Sequence, residues 1–362
     1  MRRPLAAALL LALGAFGCIK RPAEIADSRP RLARGDKGMK AEDAPAPTPE
    51  ETRTPYKKPS STEEWGEAFF KKGDYRRAVA YLSEAVKKDQ NSAKLWRNLG
   101  SAYALADDYD NAILCYERAL KRNPHDIKTH YNLSLIHNFK GSPEELKAAE
   151  AAAKRGLEED PNHAPLHSSL GNIYADEGKD DNALKEYERS IEINPKDPVT
   201  RFNKGALHFK RKEIKAAEGE YRESLKLDPK DSEAAQNLAA IYIIQDRLDE
   251  AEKLNRYVIR EKPKDEDTLE NAYFNLGIIY DRQNKLEQAL NMYKLALQVA
   301  PWDAAAYVNT AVILERLNRK QEALTYWEKY QRLFPASRRA GEISKRIEIL
   351  KKMVKLEKEN AK

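Results

Sequence analysis

A period of 34 residues governs this chain from about Pro59 to Ser337. Trp96, Leu99, Gly100, Tyr103, Ala112, Tyr116, Ala119 and Pro124 mark one copy. Leu170, Gly171, Tyr174, Ala183, Tyr187, Ser190 and Pro195 return in the same order, as do Leu276, Gly277, Tyr280, Ala289, Tyr293, Ala296 and Pro301. Leu99, Gly100 and Tyr103 lie at helical spacing, and so do Ala112, Tyr116 and Ala119. The small Gly100 and Ala112 let two helices approach closely, and Tyr103 and Tyr116 fill the space beside them. Pro124 cannot continue the second helix; Pro161, Pro195, Pro229, Pro263, Pro301 and Pro335 stop theirs in the same way. A helix pair of this size cannot bury its own apolar face and must stack on its neighbours.

These positions carry a resemblance to the tetratricopeptide repeat, over 279 of the 362 residues. The resemblance implies an all-α, right-handed superhelical solenoid of about eight helix-turn-helix units. The register places them at 59–92, 93–126, 127–163, 164–197, 198–231, 232–265, 266–303 and 304–337; the third carries three extra residues and the seventh four. Ser142-Pro143-Glu144-Glu145 reads as a capping box with proline at the first helical position, so the extra residues lengthen the third helix pair. Gln90, Lys204, His208 and Asn255 depart from the pattern and weaken packing locally. Residues 338–362 read as one further helix whose stripe of Ile343, Ile347, Leu350 and Val354 caps the stack or docks a partner.

Arg2 and Arg3 precede an apolar run from Leu5 to Leu13, the form of a secretory leader over 1–17. Ala15-Phe16-Gly17-Cys18 resembles a bacterial lipobox, in which cleavage precedes the cysteine and lipid is attached to it. The same tetrapeptide also suits ordinary signal peptidase, and either cut leaves Cys18 first. Lipidation disposes of an otherwise oxidisable terminal thiol. Ile19 follows instead of the aspartate that retains many lipoproteins at the inner membrane. The expected address is therefore the outer membrane, lipid-anchored, with the solenoid facing the periplasm. Residues 18–58, interrupted by Pro22, Pro30, Pro45, Pro47, Pro49 and Pro55, read as a tether with too little apolar content for a core. The other cysteine, Cys115, reads as a packed thiol.

The formal charge of +6 is unevenly spread: the repeats hold 43 basic and 47 acidic residues, whereas 338–362 holds nine and four. The solenoid thus lacks the basic patch that nucleic-acid binding needs. The basic terminal helix reads as a solvated face, with contact to anionic lipid as the alternative.

In tetratricopeptide proteins certain first-helix positions line a concave groove that holds protein or peptide segments. By register, the resemblance assigns to it Phe70, Leu105, Tyr131, Leu135, Phe139, Phe202, Phe209, Ile243, Ile244, Phe274, Ile278, Val308 and Val312. The residue before the signature leucine is Asn98, Asn132, Asn203, Asn237, Asn275 or Asn309 in six units. An amide there can bond a peptide backbone whatever its side chains, and the row resembles the asparagine ladder of O-linked N-acetylglucosamine transferase; it is also common family sequence. A carboxylate clamp is not expected, because Ser168 and Glu233 stand where it needs basic residues. Trp65, Trp96 and Trp327 fall on core positions. Trp302, in a turn, packs on the next helix or anchors an interface.

No phosphate loop, nucleophile elbow or metalloprotease motif appears in the sequence. His163 and His167 are four apart, but the register gives them no third ligand. The expectation is a protein without cofactor, metal or catalytic site. It resembles pilotin lipoproteins and the tetratricopeptide lipoproteins of polysaccharide export, and would act as an outer-membrane scaffold. The alternative is an accessory or regulatory subunit of a cell-wall-active enzyme.

Overall fold

The computed structural model describes residues 59–261, 266–337 and 339–360. The expected leader 1–17, lipidation site Cys18, tether 18–58 and turn proline Pro263 lie outside the described residues. Seventeen α-helices and no strand occur among those described. In order they are α1 (Thr62–Lys71), α2 (Tyr75–Lys88), α3 (Ala93–Leu105), α4 (Tyr109–Arg122), α5 (Ile127–Lys140), α6 (Pro143–Glu159), α7 (Ala164–Asp176), α8 (Asp180–Ile193) and α9 (Pro198–Lys210). Then follow α10 (Ile214–Leu227), α11 (Ser232–Ile244), α12 (Leu248–Glu261), α13 (Glu266–Arg282), α14 (Leu286–Val299), α15 (Ala304–Arg316), α16 (Lys320–Leu333) and α17 (Ala340–Asn360). The described chain divides into two compact bodies, 59–207 and 208–360.

The turn inside each pair is set by one left-handed residue. Gly73, Asp107, Gly141, Gly178, Lys212, Asp246, Asn284 and Asn318 have φ between 58° and 78°. Their spacing is 34 residues except for 37 before Gly178 and 38 before Asn284. The first insertion lengthens α6 to 17 residues, beginning at Pro143 with Ser142 Oγ accepting from the Glu145 amide at 3.2 Å. The second lengthens α13, also 17 residues.

Within the first body, α1/α2, α3/α4, α5/α6 and α7/α8 pack as antiparallel neighbours. The small-against-aromatic rule is literal: a Cβ on Gly100 would lie 2.7 Å from the Tyr116 ring, and one on Gly171 2.5 Å from that of Tyr187. Trp96 is buried, and Trp65 stacks on Phe69 and Tyr81. Lys204, at a leucine position, reaches Glu188 at 3.3 Å.

Within the second body, α11/α12, α13/α14 and α15/α16 pair in the same manner, and α17 packs on α16. Gly277 meets Tyr293 as Gly171 meets Tyr187. Asn255 takes the aromatic slot fully buried, its Nδ2 donating to Ala251 O at 2.8 Å. His208 Nδ1 lies 2.6 Å from Glu213. Ile343, Ile347, Leu350 and Val354 of α17 are all buried. No described helix is long and apolar enough to cross a membrane.

Candidate functional site

A docking surface needs side chains that solvent can reach, and burial divides the groove set. In the first body Phe70, Leu105, Tyr131 and Phe139 are half-buried. Phe70 meets the edge of Tyr75 at 5.7 Å, and Phe139 lies 4.8 Å from Tyr109. These pairs put an aromatic and aliphatic row at the ends of first helices α1, α3 and α5. In the second body Phe209 and Phe274 are half-buried, whereas Ile244 and Val312 are 43% and 39% exposed. Phe274 rests on the buried Tyr293.

The rest of the set is corrected. Phe202 and Ile243 are wholly buried, and Leu135, Ile278 and Val308 are nearly so. Burial leaves these five no surface for a partner.

Five of the six asparagines in the row are hydrogen-bonded within the protein. Asn98 Nδ2 donates to Glu67 at 3.2 Å, Asn132 Nδ2 to Ser101 at 3.3 Å and Asn203 Nδ2 to Asn172 Oδ1 at 2.9 Å. Each donor reaches 31 residues back, to a first helix of the preceding unit. The buried second-helix tyrosine completes the cluster: Tyr116 OH sits 3.0 Å from Ser101 Oγ, and Tyr187 OH donates to Asn172 Oδ1 at 2.7 Å. Ahead of Asn237 and Asn275 the acceptor position holds Ala206 and Ala240, and the amide turns to the aromatic slot. Asn237 Nδ2 lies 3.4 Å from Tyr221 OH, and Asn275 Nδ2 lies 3.4 Å from Asn255 Oδ1. Asn203 and Asn275 are buried. Asn203 Oδ1 and Asn172 Nδ2 are enclosed without a partner, beyond reach of a docked peptide. These five asparagines therefore fasten unit to unit. Asn98, Asn132, Asn237 and Asn309 are half-buried, and among them Asn309 has no hydrogen bond among those described.

A second polar seam escaped the sequence. Trp96 Nε1 donates to Gln90 O at 2.9 Å, and at the equivalent position His130 Nε2 lies 2.8 Å from Pro124 O and His167 Nε2 3.1 Å from Pro161 O. A ring N–H six residues on thus satisfies the turn carbonyl left by the previous helix. His163 Nδ1 meanwhile accepts from the Leu166 amide at 3.2 Å, and His167 Nδ1 lies 2.7 Å from Glu186. The two histidines serve the backbone separately. No cluster of three His, Cys, Asp or Glu placed for a metal occurs among the described residues.

Cys115 is buried, and burial pushes its thiol up to about 12, as expected of a packed group. Trp302, expected to pack or to anchor an interface, is 63% exposed. Glu270, near the start of α13, is pushed up to about 8, first by burial and then by the carboxylates of Asp303 and Asp267. Asp303 is held by its own duty, capping α15 through the amides of Ala305 and Ala306 at 2.8 and 3.1 Å.

Family models described as tetratricopeptide repeat match residues 64–127, 220–253, 270–303 and 305–337, and one described as TPR repeat matches 171–212. Protein bimA of Emericella nidulans is 30% identical over 122 residues, covering 33% of this chain and 15% of bimA. The chain spans 15–18% of the length of the first curated relatives it matches. Among solved structures, the APC/C hetero-tetramer Cut9-Hcn1 aligns with a TM-score of 0.54 at 14% identity, covering 79% of this chain and 55% of that one. The pilF protein of Pseudomonas aeruginosa aligns with a TM-score of 0.52 at 18% identity, covering 61% of this chain and 97% of that one. At these identities the likeness is one of fold. The repeat models together cover more than half of the sequence, and the chain belongs to the tetratricopeptide-repeat family.

Proposed function

We propose that this protein is a non-catalytic scaffold anchored through lipid on Cys18 at the inner face of the bacterial outer membrane. Its partners are segments of envelope proteins, in the assembly of a pilus secretin or a polysaccharide-export machine. The observation that carries the docking role is the set of first-helix apolar side chains left within reach of solvent: Phe70, Leu105 and Phe139 in one body, Phe209, Ile244 and Val312 in the other. Most of the polar seam beside them is already hydrogen-bonded, so recognition falls mainly to apolar contact. The leader, the cysteine and the proline-rich stretch support the anchored setting; anchoring raises the effective concentration of the scaffold for partners in the same membrane.

The test is a pull-down from solubilised outer membrane with the wild type and with Leu105→Glu, Phe139→Glu. Recovery of secretin or export-pore subunits by the wild type, lost in the variant, supports the reading. Recovery of wall hydrolases alone overturns it in favour of an enzyme accessory. Mass spectrometry of the mature N-terminus tests the anchor separately, and an unmodified Cys18 removes it.

A further inference from the structure

Helix α17 carries two apolar stripes. The first, Ile343, Ile347, Leu350 and Val354, is buried. The second is Ile349, Met353 and Leu356, which are 51%, 40% and 58% exposed. Spacings of four and three residues put these three on one face of the helix, about a third of a turn round from the first stripe. A solvated end-cap needs a polar outer face, and this stripe departs from that rule.

The same helix is net basic. Residues 340–360 bear six basic and four acidic side chains, against 43 and 47 in the repeats. Lys345 and Lys352 lie seven apart along one border of the exposed stripe, and Arg346 lies on the other. Lys352 pairs with Glu348 at 3.1 Å but stays 73% exposed, and Arg346 pairs with Glu315 of α15 at 53% exposure. Glu342 heads the stripe and pairs with Arg339 at 3.1 Å. An anionic surface meets both features at once: the lysines find lipid phosphate, and the three apolar side chains enter the acyl boundary.

We propose that the Ile349–Met353–Leu356 face of α17, with Lys345 and Lys352 beside it, docks on an anionic lipid bilayer. The contact rests on charge and exposure alone; the anchored reading supplies only its setting. It gives the protein a second membrane contact, at the opposite end of the sequence from Cys18. Three apolar groups and a few cations make a reversible contact, weakened by salt.

The test uses the full chain with Cys18→Ser, a nitroxide on Met353→Cys, and a control nitroxide on Glu359→Cys. Cys115 is buried and does not compete for the label. With vesicles containing phosphatidylglycerol at low salt, the label at 353 should become shielded from a water-soluble relaxation agent, and that at 359 should not. Binding by the leader alone would leave both exposed, so failure here is distinct from failure of the anchor. Lys345→Glu with Lys352→Glu should weaken the shielding at least tenfold in lipid concentration while leaving the helical circular-dichroism signal unchanged. A label at 353 that stays exposed on bound vesicles overturns the proposal. Equal shielding by uncharged phosphatidylcholine overturns it, as does shielding without lipid accompanied by a doubled mass. Shielding by an acidic amphipathic helical peptide but not by vesicles assigns the face to a protein partner and also overturns it.

Discussion

Alanine at Gly171 puts the close approach of paired helices to a quantitative test. The new Cβ would lie 2.5 and 2.6 Å from Cε1 and Cδ1 of Tyr187 and 3.2 Å from its Cγ. That ring is wholly buried, and its hydroxyl is fixed 2.7 Å from Asn172 Oδ1, which also holds Asn203. The ring cannot yield without breaking this cluster. Overpacking costs about 1–3 kcal/mol, and loss of a buried hydrogen bond adds about 1–3 kcal/mol. Removing a helical glycine returns about 1 kcal/mol, leaving a net loss of about 1–5 kcal/mol on these magnitudes. Gly219 is the control, because nothing lies within 4 Å of its added Cβ; Gly219→Ala should stabilise by about 1 kcal/mol. Urea titration followed by helical circular dichroism measures both, and amide exchange across α7 and α8 locates the loss. In Gly171→Ala with Tyr187→Leu, the two costs should fall short of additivity by at least about 1 kcal/mol. A Gly171→Ala midpoint that rises like that of Gly219→Ala would refute the close-approach argument.

Three further outcomes follow from burial. Phe202→Ala should cost about 3–5 kcal/mol by opening a core cavity, read as a lowered urea midpoint; unchanged stability with lost partner capture would restore Phe202 to a docking surface. Glu270 is raised from an ordinary 4.5 to about 8, so the folded state holds the extra proton between those values. Its contribution is fully present below 4.5 and is lost as pH rises toward 8; Glu270→Gln should flatten the stability profile across that window, and an unchanged slope would count against the carboxyl cluster. Cys115 should resist a thiol reagent in the native protein at mildly alkaline pH and react once unfolded; rapid native reaction would contradict its packing.

The period, both insertions, the Ser142 cap and the stripe buried by α17 were legible because each rests on spacing within one or two helices. The eight left-handed turn residues agree with that register although five are not glycine. The surface was less legible. Phe202 and Phe209 are one residue type on one helix, yet one is wholly buried and the other is not; the difference lies in what the neighbouring helices cover. The asparagines were legible as a row but not by role, since the acceptor for Asn203 is Asn172, 31 residues away. Where that acceptor is alanine, the amide finds Tyr221 or Asn255 instead. The shared ring N–H of Trp96, His130 and His167 was hidden because the residue type changes while the hydrogen bond stays.

The most direct test of the docking role is site-specific photocrosslinking in living cells, with the reactive side chain at Leu105, Phe139 or Leu114. Leu105 and Phe139 lie on the first-helix row, whereas Leu114 is 50% exposed on the second helix α4. The account predicts that positions 105 and 139 crosslink to one common envelope protein and that position 114 does not. Crosslinking from 114 alone, or from none of the three, would contradict it.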